Sequence, residues 1–168
     1  MTNDEAKQIK AQCLKDISAA MARKEYTHKL VDIDNRLWAY IMDCIDLSED
    51  HANLYELLGI RKFLRMICTY DLDIAKVQKV YKAYEHLKFS GIQGKQQYKL
   101  TPMQTYQLAA PFLFLKEVPV EQSGDNQWVD RRRVCTEANY FVPRKSSKTT
   151  LAAFFINAMD RCLSAGVC

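Results

Sequence analysis

The densest chemistry in this chain of 168 residues is the string Pro143-Arg144-Lys145-Ser146-Ser147-Lys148-Thr149-Thr150. An apolar, β-branched stretch leads into it, and Leu151, Ala152, Phe154, Phe155, Ala158 and Met159 follow in helical spacing. Strand, short basic loop, Lys-Thr and helix are the layout of a phosphate-binding loop. That layout works because N–H groups at a helix N-terminus point at an anion, a lysine adds a point charge on the β and γ phosphates, and a hydroxyl ligates Mg²⁺. Lys148 and Thr149 suit those two side-chain roles. Against G-x-x-x-x-G-K-[ST], however, Val142 and Ser147 stand where the two glycines would be. A serine in a left-handed conformation costs on the order of 1 kcal/mol, so the loop is expected to wind differently. The competing reading makes Arg144, Lys145 and Lys148 a solvated turn, with Ser147 or Thr149 as a helix N-cap.

No other residue set competes with this string. The six cysteines, at 13, 44, 68, 135, 162 and 168, never fall within four residues of one another, so no C-x-x-C clip exists for zinc or redox chemistry. Four of them occupy apolar positions of helical patterns and read as small reduced core residues. His28, His51 and His86 are isolated and form no metal-binding pair. A composition of 48% apolar and 26% charged residues, with five glycines and four prolines, is that of a globular chain and excludes a disordered or collagenous one. The net charge of +4 is too mild to mark a dedicated nucleic-acid binder. The longest apolar run, residues 108–115, is under half a membrane span and contains Pro111, and the start of the chain is polar and acidic. No membrane contact is expected, and the expected compartment is the cytoplasm.

The elements that would carry this chemistry are mostly helical. Thr2 and Glu5 form a capping box ahead of Ala6, Ile9, Cys13, Ile17, Ala20 and Met21, which recur at three- and four-residue steps. A second helix is predicted through Leu30, Ile33, Leu37, Ile41, Cys44 and Ile45, and a third, interrupted by Gly59, through Leu54, Leu57, Leu58, Leu64 and Ile67. Asp71 or Asp73 caps a fourth, with Ile74, Val77, Val80, Tyr81, Tyr84 and Leu87 on one face; Lys76, Lys79, Lys82 and Lys88 belong to its solvated side. Residues 91–99 turn rich in Gly, Gln and Lys and mark a connection, so a boundary is drawn between a helical region, 1–95, and a second unit, 96–168. Thr101-Pro102-Met103-Gln104 is a helix start with Thr at the cap, Pro in the first turn and Gln reaching back. Pro111 should bend or end that helix. Residues 117–127 read as loop, and residues 134–142, led by Arg131, Arg132 and Arg133, as the one convincing strand.

In this order of elements the stretch 76–157 resembles the opening of bacteriophage and prophage terminase large subunits, the ATPase motors that package DNA. The residues that carry the resemblance are the lysine- and aromatic-rich helix ending at a glycine-containing link, Leu100-Thr101-Pro102-Met103-Gln104, the arginine-led strand, and a Val-Pro-Arg-Lys-x-x-Lys-Thr loop from Val142 to Thr149 with Thr150, Leu151, Ala152 and Ala153 behind it. The family's loop commonly lacks the first glycine; Ser147 is a departure, since glycine is usual there. The resemblance implies a mostly α chain: an N-terminal helical region followed by the truncated start, strand, P-loop and helix, of an α/β P-loop ATPase. It implies ATP and Mg²⁺ as cofactors. It makes Gln104 the reader of the adenine edge, whose structural alternative is the capping partner of Thr101. Arg144 and Lys148 become the groups that stabilise and hold the γ-phosphate, with Lys145, Ser146, Ser147 and Thr150 lining the nucleotide and Thr149 binding the metal. Its implied partners are double-stranded DNA, a small terminase subunit, a portal and further copies of the chain, in the cytoplasm of a bacterial host.

The chain ends at Cys168, before any acidic strand end or nuclease carboxylates, so a fragment that grips nucleotide without hydrolysing it alone is expected. The reading from a different class is a non-enzymatic helical module that contacts DNA or a protein partner.

Overall fold

The computed structural model describes residues 2–47, 51–86, 88–91, 94–97, 99–120 and 128–135. These residues are mostly helical. In chain order they form α1 (Asn3–Met21), α2 (Lys24–Ile33), α3 (Asn35–Ile45), α4 (Leu54–Thr69), β1 (Asp71–Leu72), α5 (Ile74–Glu85), β2 (Lys88–Gly91), β3 (Gly94–Gln97), α6 (Pro102–Leu113), β4 (Phe114–Val120) and β5 (Trp128–Arg133).

The helix starts follow from local side-chain chemistry. Thr2 and Glu5 close the expected capping box, Asn53 accepts from the N–H groups of Tyr55 and Glu56, and Asp73 accepts from that of Lys76. Asp73 is therefore the cap of α5, while Asp71 belongs to β1. The single helix expected over residues 30–45 is two. Asp34 is extended, ends α2 and caps α3 by accepting from the Arg36 N–H. An apolar period that continues unbroken across Asp34 hides this break, because both short helices turn the same stripe inward. Gly59 does not interrupt α4, and α5 stops at Glu85, two residues short of Leu87.

α6 lies in the middle of the packing. Gln104, Thr105, Gln107, Leu108, Ala109, Pro111, Phe112 and Leu113 are all buried on it, a pattern that goes most of the way round the helix. It packs on α3 and α5 and against β5. Pro111 sits inside the last turn and offers no N–H to the Gln107 carbonyl; the helix runs two residues further and passes directly into β4. Phe63 of α4 meets Tyr106 and Phe114 edge-on, each pair with centroids 5.2 Å apart, and Tyr40 lies 5.2 Å from Tyr106. Burying each such side chain stabilises by about 2 kcal/mol. The core formed by residues from α1 to α6 is one continuous cluster.

The sheet is small and antiparallel, ordered β1-β4-β5, and a separate hairpin pairs β2 with β3. Residues 114–120, partly read as loop from sequence, are strand. Pro119 sits opposite Val129, beyond the reach of β1, which pairs only with Phe114 and Leu115. Its missing N–H therefore breaks no ladder on that side. β5 covers 128–133, ahead of the strand expected over 134–142; of that stretch Val134 and Cys135 lie outside any strand, and residues 136–142 lie outside the described residues. The three arginines are tolerated in β5 because Arg131 faces Glu117 across the ladder and Arg133 lies on the Phe112 ring.

Cys13 and Cys44 are buried and reduced, as the helical pattern predicts, whereas Cys68 is exposed. His28, His51 and His86 are all on the surface. No described helix is long and apolar enough to cross a membrane.

Candidate functional site

Of the predicted nucleotide contacts, Gln104 lies among the described residues, and its surroundings are well defined. The Thr101 hydroxyl accepts from the Gln104 backbone N–H at 3.3 Å, and Gln104 Oε1 accepts from the Thr101 N–H at 3.0 Å. Thr101 Oγ1 and Gln104 Oε1 thus each satisfy one of the orphan donors of the helix start, and Gln104 is only 4% exposed. The capping role is what this geometry shows for Gln104. The Thr105 hydroxyl donates to the Pro102 carbonyl at 2.6 Å, which tightens the same turn.

The start of α6 is held from outside by a cluster centred on Arg36. Its Nε and Nη2 donate to the two oxygens of Asp34 at 2.9 and 2.8 Å, and Nη1 donates to Glu85 at the end of α5 and to the Leu100 carbonyl at 3.4 Å. The guanidinium also stands 5.9 Å from the Tyr81 ring centroid. Tyr81 in turn donates its hydroxyl to the Thr105 carbonyl at 2.7 Å, so α5 is fastened to the first turns of α6. Burial alone pushes the Asp34 carboxyl up, but the hydrogen bonds from the Arg36 side chain and backbone, with its charge, overturn this and hold it below its ordinary value. The Arg36 guanidinium is raised, first by its hydrogen bond to Asp34. Burial, then the Asp34 charge, raises the Tyr81 phenol, so it stays a neutral donor.

One side chain after another in β5 takes a different environment. Arg131 is exposed and lies 3.8 Å from Glu117 and 3.9 Å from Asp71; Arg132 pairs with Asp130 at 2.9 Å. Arg133 stacks at 4.8 Å from the Phe112 centroid, and its Nη1 is enclosed with no hydrogen-bond partner among the described residues. The run thus serves the sheet and α6 as well as solvent. Tyr40, buried on α3, donates its hydroxyl to the half-buried Glu56, and its phenol is raised by burial and then by that bond.

Arg144, Lys145, Ser146, Ser147, Lys148, Thr149 and Thr150 lie outside the described residues. Among the described residues no group of three His, Cys, Asp or Glu is placed to hold a metal ion. No family model, no curated protein and no solved structure matches the chain. Sequence reasoning missed the Arg36 cluster. The signal that could have found it is Asp34 two residues ahead of an arginine in an otherwise apolar pattern, an N-cap spacing.

Proposed function

We propose that the chain is the N-terminal part of a phage or prophage terminase large subunit, an ATP-driven DNA-packaging motor, and that it grips nucleotide phosphates through residues 142–150. The observation that carries this reading is the succession, in one chain, of Leu100-Thr101-Pro102-Met103-Gln104 and Val142-Pro143-Arg144-Lys145-Ser146-Ser147-Lys148-Thr149, with a small-apolar helical pattern after it. On this reading residues 136–150 carry the strand and loop that open an α/β P-loop domain. Lys148 holds the β and γ oxygens, Arg144 leans over the γ-phosphate, and Thr149 ligates Mg²⁺. Lys145, Ser146, Ser147 and Thr150 supply backbone donors around the phosphates. The rigid fastening of the α6 start by Thr101, Arg36 and Tyr81 is compatible with an adenine contact there. Because Gln104 Oε1 is committed to its cap, that contact requires the amide to leave Thr101. Duplex DNA, a small subunit, a portal and neighbouring copies are the partners proposed for the parent motor, and the cytoplasm of the bacterial host is its proposed compartment.

The reading predicts that the chain grips nucleotide phosphates through residues 142–150, with Lys148 as the anchoring cation. Titration of the chain with a fluorescent ATP analogue in Mg²⁺ tests it. Saturable binding that falls at least tenfold in Lys148→Ala supports the reading. Absence of binding, or binding indifferent to that change, refutes it.

A further inference from the structure

We propose that α5 and the β2–β3 hairpin together form a surface that binds the phosphate backbone of duplex DNA. Residues 74–100 contain six lysines and a single acid, Glu85, a surplus of five, while the whole chain carries only +4. All of the net positive charge of the molecule is thus concentrated in this one segment, and the remainder is slightly acidic.

The structure gives the segment a shape. Val77, Val80, Tyr81 and Tyr84 bury one face of α5, and Lys79 and Lys82, three residues apart, are exposed on the other. Lys99 is exposed where the chain re-enters α6. Between them the hairpin register sets Lys88 opposite Gln97 and Ser90 opposite Lys95, which places both lysine positions on one face of the ribbon. Glu85, the one carboxylate in the segment, is taken up by Arg36. The same arginine holds the Leu100 carbonyl, so the end of α5 and the approach to α6, between which the hairpin lies in sequence, are tied to a single side chain of α3. The chain positions on either side of the ribbon are thus held together before any ligand arrives, which lowers the ordering cost of binding.

A two-stranded ribbon is an element that fits the major groove, and lysines without arginines contact phosphates as point charges and do not read bases. The partner is duplex DNA rather than an anionic membrane because the outward positions of α5 are Ala75, Gln78, Lys79, Lys82 and Ala83. None of these α5 positions carries a large apolar side chain that could wedge into a lipid surface. This surface is separate from residues 142–150 and does not depend on the phosphate-loop reading.

Fluorescence anisotropy of the full chain with a mixed-sequence 30-base-pair duplex, across 50–200 mM KCl, tests the proposal. Contacts from Lys79, Lys82, Lys88, Lys95 and Lys99 predict a log-log salt slope of about −4.5, a loss of roughly 500-fold over that range. Lys88→Gln with Lys95→Gln should lower the slope to about −2.7, or roughly 40-fold. Lys15→Gln with Lys62→Gln removes the same charge from exposed positions on α1 and α4 and should leave the slope as it was. Equal effects of the two pairs, absence of DNA binding, or binding to phosphatidylserine vesicles in place of DNA would each overturn the proposal. Amide hydrogen exchange on the native chain gives a readout free of any folding defect: DNA should protect residues 76–99, and protection elsewhere alone contradicts the assignment. The charge variants should still bind the ATP analogue, so failure here and failure of the nucleotide reading are distinguishable.

Discussion

Replacing Arg36 by methionine removes the group on which α3, the end of α5 and the start of α6 converge. Four contacts disappear: the two-point bond to Asp34, the pair with Glu85, the bond to the Leu100 carbonyl and the stacking on Tyr81. Two carboxylates are left without their partner, with side chains 18% exposed for Asp34 and 29% for Glu85. A fully buried pair broken in this way costs about 3–5 kcal/mol and an exposed one less than about 1. Partial exposure places Arg36→Met between these limits, at about 2–3 kcal/mol. For a chain of this size that corresponds to a fall in Tm of about 5–10 °C at pH 7, read by thermal circular dichroism. The pH dependence has a definite sign. Asp34 has a folded value below its unfolded one, so its pairing stabilises above the ordinary Asp value and is lost as pH falls through the folded value. The gap between native and variant should therefore be fullest near pH 7 and narrow below about pH 4. A Tm within about 2 °C of native at pH 7, or a gap that widens in acid, would refute the reasoning.

Other substitutions test other parts of the structure. Thr101→Ala should destabilise by about 1 kcal/mol through loss of the cap, with Thr101→Ser close to native in urea unfolding. Gly59→Ala ordinarily stabilises a helix by about 1 kcal/mol, but a Cβ there meets the Tyr106 hydroxyl at 3.0 Å. The gain should be absent in the native background and recovered when Tyr106→Phe is combined with it, as judged by a double-mutant cycle. Burial and then the Glu56 charge push the Cys44 thiol up to about 12. Maleimide labelling at pH 8, mapped by mass spectrometry, should modify exposed Cys68 well before Cys44 and Cys13, and equal rates would contradict the packing of α1 and α3.

The parts of this fold that were legible in the sequence are those written in local chemistry. The capping boxes of Thr2 with Glu5 and of Thr101 with Gln104 each depend on residues three apart, and both are present in the structure. The α2–α3 break was not legible, because Asp34 interrupts the backbone without interrupting the apolar period. The Arg36 cluster was not legible either, since its partners Glu85 and Leu100 are 49 and 64 residues away. Residues 117–120 read as loop from the sequence and are nevertheless in β4 with Pro119 among them, because a ladder open on one side does not need its N–H. The arginine run gave no role from sequence; pairing with Glu117 and Asp130 and stacking on Phe112 are tertiary facts. Of the candidate site, the sequence supplies the whole phosphate-loop string, and the structure adds the capping geometry at Gln104.

Amide hydrogen exchange with and without Mg-ATP tests most directly whether the α6 start and the 142–150 string serve one nucleotide. The proposed function predicts protection of residues 142–151, accompanied by a change at residues 101–105 as Gln104 leaves its cap, and loss of both in Lys148→Ala. Exchange that is identical with and without Mg-ATP across both segments would contradict it.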